Sequence, residues 1–267
     1  HSLSPYIHNA AFKEKRLNAV YIPFEVSDLD EFIKRMVRAE TREIDWNLRG
    51  FSVTAPHKVS IMRHLDLIDE AAKDVGAVNT VKIIDGRLCG YNTDADGFID
   101  PLRDAFGDLK NAKIGIIGSG GAARACIYAL RKDGALVTVI ARNQEKGLAL
   151  ANEFDVEFLQ LTKNENGFTD LDILINATPL GTIGPLEKQS PVSEDQISNL
   201  QLLYDLVYNP FETLFLREAK SKGVKTIGGI EMLIAQAARQ FEIWTGSAIS
   251  TEIMSNAALL RLNKTRT

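Results

Sequence analysis

Residues 112–130 read AKIGIIGSGGAARACIYAL, an apolar run from Ile114 to Ile117, a glycine cluster, and then a helical pattern. Gly118, Gly120 and Ala123 occupy the three small-residue positions of G-x-G-x-x-G/A. The first makes a tight turn, the second lets backbone approach a pyrophosphate, and the third lets a helix lie close to its strand. A strand before the cluster and a helix after it distinguish this from an ordinary turn. The helix aims its unpaired N–H groups and the positive end of its dipole at the bound anion. Gly118 and Gly120 are therefore expected to hold a dinucleotide.

Outward from this stretch, strand and helix alternate. Strands are expected at Lys113–Ile117, Leu136–Ile140, Val156–Leu161, Asp172–Asn176, Leu202–Leu206 and Val224–Ile227. Six strands with helices between most of them predict a doubly wound Rossmann sheet. The segment Pro179–Ser198, rich in Gly, Pro and Ser, reads as a long loop over the cofactor. Ahead of the glycine turn, a helix from Tyr6 to about Arg16 is expected, with Ser4 as N-cap and Pro5 in the first turn. Val20–Val26 (VYIPFEV) reads as a strand, and Leu29–Ala39 as an amphipathic helix capped by Asp28. A strand follows at Gly50–Thr54, then a helical segment near His57 and another over Leu67–Asp74. Val78–Ile84 and Arg87–Tyr91 flank an Asp85-Gly86 turn. This alternation predicts a small, parallel-leaning α/β sheet. Met232–Trp244 and Ser250–Leu262 are two last helices with no strand to follow. The fold class is thus α/β in two domains, an N-terminal α/β domain and a doubly wound, dinucleotide-binding Rossmann domain, with the C-terminal helices returning to the first. The boundaries expected are 1–100, completed by 237–267, and 101–236.

The cofactor preference is read at the end of the second Rossmann strand. A carboxylate there takes the ribose hydroxyls of NAD. This chain has Arg142 instead, with Lys146 one helical turn on. A guanidinium donates to two oxygens of a 2′-phosphate at once, so NADP is expected.

Composition narrows the rest. The 267 residues are 45% hydrophobic, enough for one large core or two modest ones, and the net charge of -4 gives no bulk attraction to nucleic acid or acidic membranes. No apolar run approaches the roughly 18 residues of a membrane span. The two cysteines, Cys89 and Cys126, fit no zinc or redox spacing, so no metal is expected and both read as reduced packing residues. With no signal peptide in the sequence, which starts at His1 without a Met, a cytoplasmic location is expected.

Further strings carry a resemblance: His1-Ser-Leu-Ser-Pro5, Val53-Thr-Ala-Pro-His-Lys58, Gly76-Ala-Val-Asn-Thr80, Gly90-Tyr-Asn-Thr-Asp94, Asn176-Ala-Thr178 and Met232-Leu-Ile-Ala-Gln-Ala-Ala238. With the glycine turn, in this order and spacing, they resemble the shikimate dehydrogenase family over essentially the whole chain. The resemblance implies NADPH-dependent reduction of 3-dehydroshikimate to shikimate. It implies that Ser2 and Ser4 bind the substrate carboxylate and that Lys58 and Asp94 form the catalytic pair. Thr54, Asn79 and Gln236 match ring-hydroxyl contacts, and Tyr208 a tyrosine near the substrate. Thr178 and Gly229 join Gly118, Gly120, Gly121, Ala122, Arg142 and Lys146 as cofactor contacts. It also implies a monomer or homodimer, and some members are fused behind a dehydroquinase domain.

The chain departs from the family pattern at four places: it lacks a first strand ahead of His1-Ser2, and Ser52, Ala95 and Gly228 replace the usual Asn, Gly and Asp. Those substitutions bear on the choice between shikimate and quinate. Read without the family, Ser4 serves equally as a helix cap, Asp94 as the cap of the next helix, and Asn79 and Gln236 as core amides. An isolated lysine is most often a solvated surface charge, but Lys58 follows a strand end, where α/β sites open. The competing activities are a quinate or quinate/shikimate dehydrogenase using NAD, and a non-catalytic NADP-binding sensor.

Overall fold

The computed structural model describes residues 2–162, 168, 170–197 and 199–264. His1, which opens the first motif, and Ser198, which closes the long loop, lie outside the described residues. Two compact units are present, one of residues 1–93 with 237–267 and the other of residues 94–236.

The second unit is a six-stranded parallel sheet of β5 (Lys113–Ile117), β6 (Leu136–Ala141), β7 (Glu157–Gln160), β8 (Ile173–Asn176), β9 (Leu202–Asp205) and β10 (Lys225–Ile227). The strand order is β10-β9-β8-β5-β6-β7, so the winding reverses between β5 and β8. The reversal opens a crevice at the carboxyl ends of the strands, where ligands of such sheets bind. Ile114, Ile116, Val139, Ile140, Ile173, Leu174 and Leu203 are fully buried, as near-continuous apolar runs in a two-sided parallel sheet require. The helices of this unit are α4 (Asp94–Phe106), α5 (Gly121–Lys132), α6 (Gln144–Phe154), α7 (Leu214–Ser221) and the start of α8 (Gly229–Thr245). Helix α4 begins at Asp94, and all of it belongs to this unit. Cys126 is fully buried on α5. The stretch 179–197 contains one short 3-10 turn, Glu194–Ile197.

The first unit holds a four-stranded sheet, β1 (Gly50–Ser52), β2 (Leu67–Ile68), β3 (Thr80–Ile84) and β4 (Arg87–Tyr91), ordered β1-β3-β4-β2. Contrary to the parallel-leaning expectation, β1 and β3, and β3 and β4, pair antiparallel, leaving only β2 and β4 parallel. For β3 and β4 the cause is the tight Asp85-Gly86 turn, both residues at positive φ (49° and 79°), because a two-residue loop joins only antiparallel strands.

Three elements of this unit differ from their sequence reading. Helix α1 spans Ser4–Glu14, with Leu3 rather than Ser4 at the N-cap position. Val20–Val26 forms no strand: the Asn9 side-chain amide takes the N–H (2.8 Å) and the carbonyl (2.9 Å) of Tyr21, and Val20, Ile22 and Phe24 are exposed. Pro23 removes a further donor from any ladder. The helix expected over Leu67–Asp74 splits, since Asp69 accepts from the Ala71 N–H and starts α3 (Glu70–Val75) there, leaving Leu67–Ile68 to pair with β4. Asp28 does cap α2 (Leu29–Phe32), which widens into a π turn over Ile33–Val37. Helix α9 (Thr251–Lys264) packs on α1 within this unit.

Candidate active site

Backbone pairing gathers three of the expected site residues of the first unit. Beyond β1 the Val53 N–H donates to the Asn79 carbonyl (2.7 Å), and the Val78 N–H donates to the Lys58 carbonyl (2.8 Å). Thr54, exposed, and Lys58, half-buried, are thereby held on the segment that leads into β3. Between them the His57 N–H closes a turn onto the Thr54 carbonyl (2.9 Å). His57 Nε2 lies 2.8 Å from the Val26 carbonyl, which can only accept, so that nitrogen carries its proton and the ring is structural. At the other end of the unit, the Ser2 hydroxyl oxygen accepts the Ser4 N–H at 3.2 Å, one of the unpaired donors of the first turn of α1. Both serines thus stand at the N-terminus of α1, whose dipole favours a carboxylate.

Asn79 is 1% exposed and its side chain is tied to its neighbours. Its Oδ1 accepts the Thr93 N–H (2.9 Å) and the Thr80 hydroxyl (2.8 Å), and its Nδ2 donates to Thr93 Oγ1 (2.9 Å). The backbone just before Asp94 is therefore fixed by Asn79. Asp94 itself is buried as the first residue of α4. Behind Asn79, the Gln240 amide donates to the Asn79 carbonyl (3.3 Å), and Gln240 Oε1 lies 3.3 Å from His8 Nε2. His8 is wholly buried, stacked on Tyr21 at 4.7 Å, with Nδ1 lacking a partner. Burial pushes its pKa down to about 4 against the opposing Gln240 contact.

In the second unit the glycine turn has the shape its sequence requires. Gly118 has φ of +126°, which side chains avoid, and a Cβ there would meet the Ala177 carbonyl oxygen at 3.0 Å. Gly120, the cap of α5, has ordinary extended backbone, yet nothing lies within 4 Å of where its Cβ would stand. That open position at a helix N-terminus suits a pyrophosphate, with Gly121 and Ala122 in the first turn behind it. Arg142 follows β6 and is exposed, and Asn143 caps α6 through the Lys146 N–H (2.9 Å). Thr178 is held by Asn176 Oδ1, to which it donates both its N–H (3.0 Å) and its hydroxyl (2.6 Å). Gly229 is pressed on the backbone of the segment after β9: a Cβ would come within 2.3 Å of the Leu206 carbonyl oxygen. Tyr208 lies half-buried two residues further on, and Gln236 is buried on α8, its amide donating to the Leu233 carbonyl (3.3 Å).

Sequence reasoning passed over Asp205, the last residue of β9 and fully buried. Its carboxylate accepts from Asn176 Nδ2 (2.9 Å), the Val207 N–H (3.0 Å) and the Thr213 hydroxyl (2.5 Å). Burial pushes its pKa up to about 6, against the pull of those three donors. The only signal in the sequence was a carboxylate closing an apolar run, Leu202–Tyr204. Thr93 and Gln240 stood inside quoted or neighbouring motifs, but their partners are distant in sequence.

A doubly wound sheet with a glycine turn at its switch point and an arginine after its second strand, joined to a smaller α/β unit, defines a two-domain nucleotide-dependent dehydrogenase. Family models match the chain as a shikimate dehydrogenase substrate binding domain over residues 1–81, a shikimate/quinate 5-dehydrogenase over 101–203 and a shikimate 5′-dehydrogenase C-terminal domain over 229–259. The chain belongs to the shikimate dehydrogenase family. It is 43% identical over 265 residues to the shikimate dehydrogenase (NADP(+)) of Methanococcus aeolicus, covering 97% of this chain and 93% of the relative. Among solved structures, a shikimate dehydrogenase in complex with NADP+ superposes with a TM-score of 0.87 at 41% identity, over 98% of this chain and 92% of that one. The Thermus thermophilus enzyme in complex with NADP(H) and shikimate gives a TM-score of 0.83 at 36% identity, over 98% and 95%.

Proposed function

We propose that this protein catalyses the reversible, NADPH-dependent reduction of 3-dehydroshikimate to shikimate in the cytoplasm, as a step toward the aromatic amino acids. The observation that carries the reading is Arg142, exposed at the end of β6 beside a glycine turn with an open pyrophosphate position, in a chain 43% identical to an NADP-dependent shikimate dehydrogenase. Gly118, Gly120, Gly121 and Ala122 hold the pyrophosphate, Arg142 and Lys146 the 2′-phosphate, and Thr178 and Gly229 line the opposite half. When bound, NADPH supplies the hydride.

The chain's own residues supply the rest. Residues 1–93 with 237–267 form the substrate-binding part, and residues 94–236 the cofactor-binding part. Ser2 and Ser4 donate to the substrate carboxylate at the N-terminus of α1. Thr54, Asn79, Gln236 and Tyr208 take the ring and its hydroxyls. Negative charge grows on the carbonyl oxygen during reduction, and the Lys58 ammonium meets it with a proton or a fixed positive charge. Asp94 accepts a hydrogen bond from a ring hydroxyl. Arg142 disfavours the NAD-dependent quinate reading. Steady-state turnover of shikimate and of quinate, each with NADP and with NAD, tests the assignment. Preferred turnover of shikimate with NADP is expected, and no turnover of any pair would leave only a binding protein.

A further inference from the structure

The carboxylate of Asp205 joins two turns at the carboxyl edge of the Rossmann sheet. Toward β8 it accepts from Asn176 Nδ2 (2.9 Å), whose amide also donates to the Leu180 carbonyl (3.1 Å). An ionised carboxylate can only accept, so it fixes the amide with its nitrogen toward Asp205 and its oxygen toward Thr178. That oxygen takes the Thr178 N–H and hydroxyl, which sets the turn lying against Gly118. On its own side of β9, Asp205 accepts the Val207 N–H (3.0 Å), one residue before Tyr208. Its second oxygen accepts the hydroxyl of Thr213, and Thr213 Oγ1 in turn caps α7 through the Leu216 N–H (3.2 Å).

The two turns, 176–180 and 206–213, sit on the side of β5 away from β6 and Arg142. A dinucleotide in this fold lies across the switch point, one mononucleotide half over each side. The adenosine 2′-phosphate belongs to the Arg142 side, and the reactive nicotinamide half to the side that Asp205 organises. We infer that Asp205 is a positioning residue for the nicotinamide half of the cofactor site, acting through Asn176–Thr178 and Val207–Tyr208 and touching neither cofactor nor substrate.

The inference rests on the assignment of NADP to this unit, and one experiment separates the two. Binding of NADP+ and of adenosine 2′,5′-bisphosphate, which carries only the Arg142-side half, is measured by calorimetry on the full chain and on Asp205→Ala and Asp205→Asn. Asp205→Ala leaves three buried donors without an acceptor and should weaken NADP+ by about tenfold or more, while the bisphosphate shifts less than twofold. Asp205→Asn keeps an oxygen for Asn176 and Val207 and should fall between, at roughly threefold. Should Asp205→Ala not fold, the same ratio of the two ligands read on Asp205→Asn decides. Equal weakening of both ligands, or no weakening of either, overturns the positioning role. An unsubstituted chain that binds neither ligand overturns the NADP assignment instead.

Discussion

Asn79 and Thr93 hold each other by two hydrogen bonds in opposite directions, Thr93 N–H to Asn79 Oδ1 and Asn79 Nδ2 to Thr93 Oγ1, both 2.9 Å. The pair is buried, and Thr93 immediately precedes Asp94 in the chain. Asn79→Ala leaves the Thr93 N–H buried without an acceptor, which costs about 2 kcal/mol of stability. Asn79→Asp keeps that acceptor and should cost less. Denaturant unfolding of the two variants measures the difference, and kcat should fall with the loss of a fixed Thr93–Asp94 backbone. Equal stability of Asn79→Ala and the parent chain would leave the pair without energetic weight.

Lys58 and the two serines should separate in kinetics. Charge on the substrate oxygen develops mainly in the transition state, whereas the carboxylate is charged throughout. Lys58→Ala should therefore lower kcat by about 10²–10⁴-fold with little change in the KM for shikimate. Ser2→Ala and Ser4→Ala should raise that KM and spare kcat. A near-normal kcat in Lys58→Ala would move the proton donor elsewhere.

Cofactor choice and cofactor approach are tested by two substitutions. Arg142→Ala removes a charge-assisted contact to a phosphate that NAD lacks, so the KM for NADP should rise about 10- to 100-fold and that for NAD hardly move. Gly120→Val puts its Cβ where no atom beyond its chain neighbours stands within 4 Å, on backbone (φ −94°) that any residue adopts. Its thermal midpoint should stay within a few degrees of the parent while NADP binding is lost. A Gly120→Val protein that binds NADP normally would show that the open position is not the cofactor's.

The buried His8 makes the first unit sensitive to acid. Its folded pKa, about 4, lies below the unfolded value of 6.5, so between those values the unfolded chain binds the extra proton. Its contribution is complete above pH 6.5 and is lost as pH falls through 4, by about 3 kcal/mol. Asp205 acts in the opposite sense. With a folded pKa of about 6 against 3.8 unfolded, the cost of its buried charge is full above pH 6 and is relieved toward pH 3.8. His8→Gln should therefore lose less stability than the parent between pH 7 and pH 5, as read from thermal midpoints. An unchanged pH dependence would mean that His8 reaches solvent before it is protonated.

The sequence alone determined the Rossmann unit, because its signals are local. An apolar strand, a glycine turn and a helix start lie within 19 consecutive residues, and period and turn chemistry repeat down the chain. Arg142 at the end of β6 was legible for the same reason. Tertiary structure decided the rest. Val20–Val26 is β-branched and aromatic like a strand, but a strand needs a partner, and the Asn9 side chain takes the Tyr21 backbone instead. Ser4 looked like a cap until the helix began at Ser4 itself. The antiparallel pairing of β1 with β3 joins elements about thirty residues apart, so no turn in the sequence announces it. The supports of the site were hidden for a related reason: Asn176 and Asp205 are 29 residues apart, and Asn79 and Gln240 are 161 apart. A buried hydrogen bond depends on which groups the folded chain leaves facing one another, and no local pattern in the sequence records that.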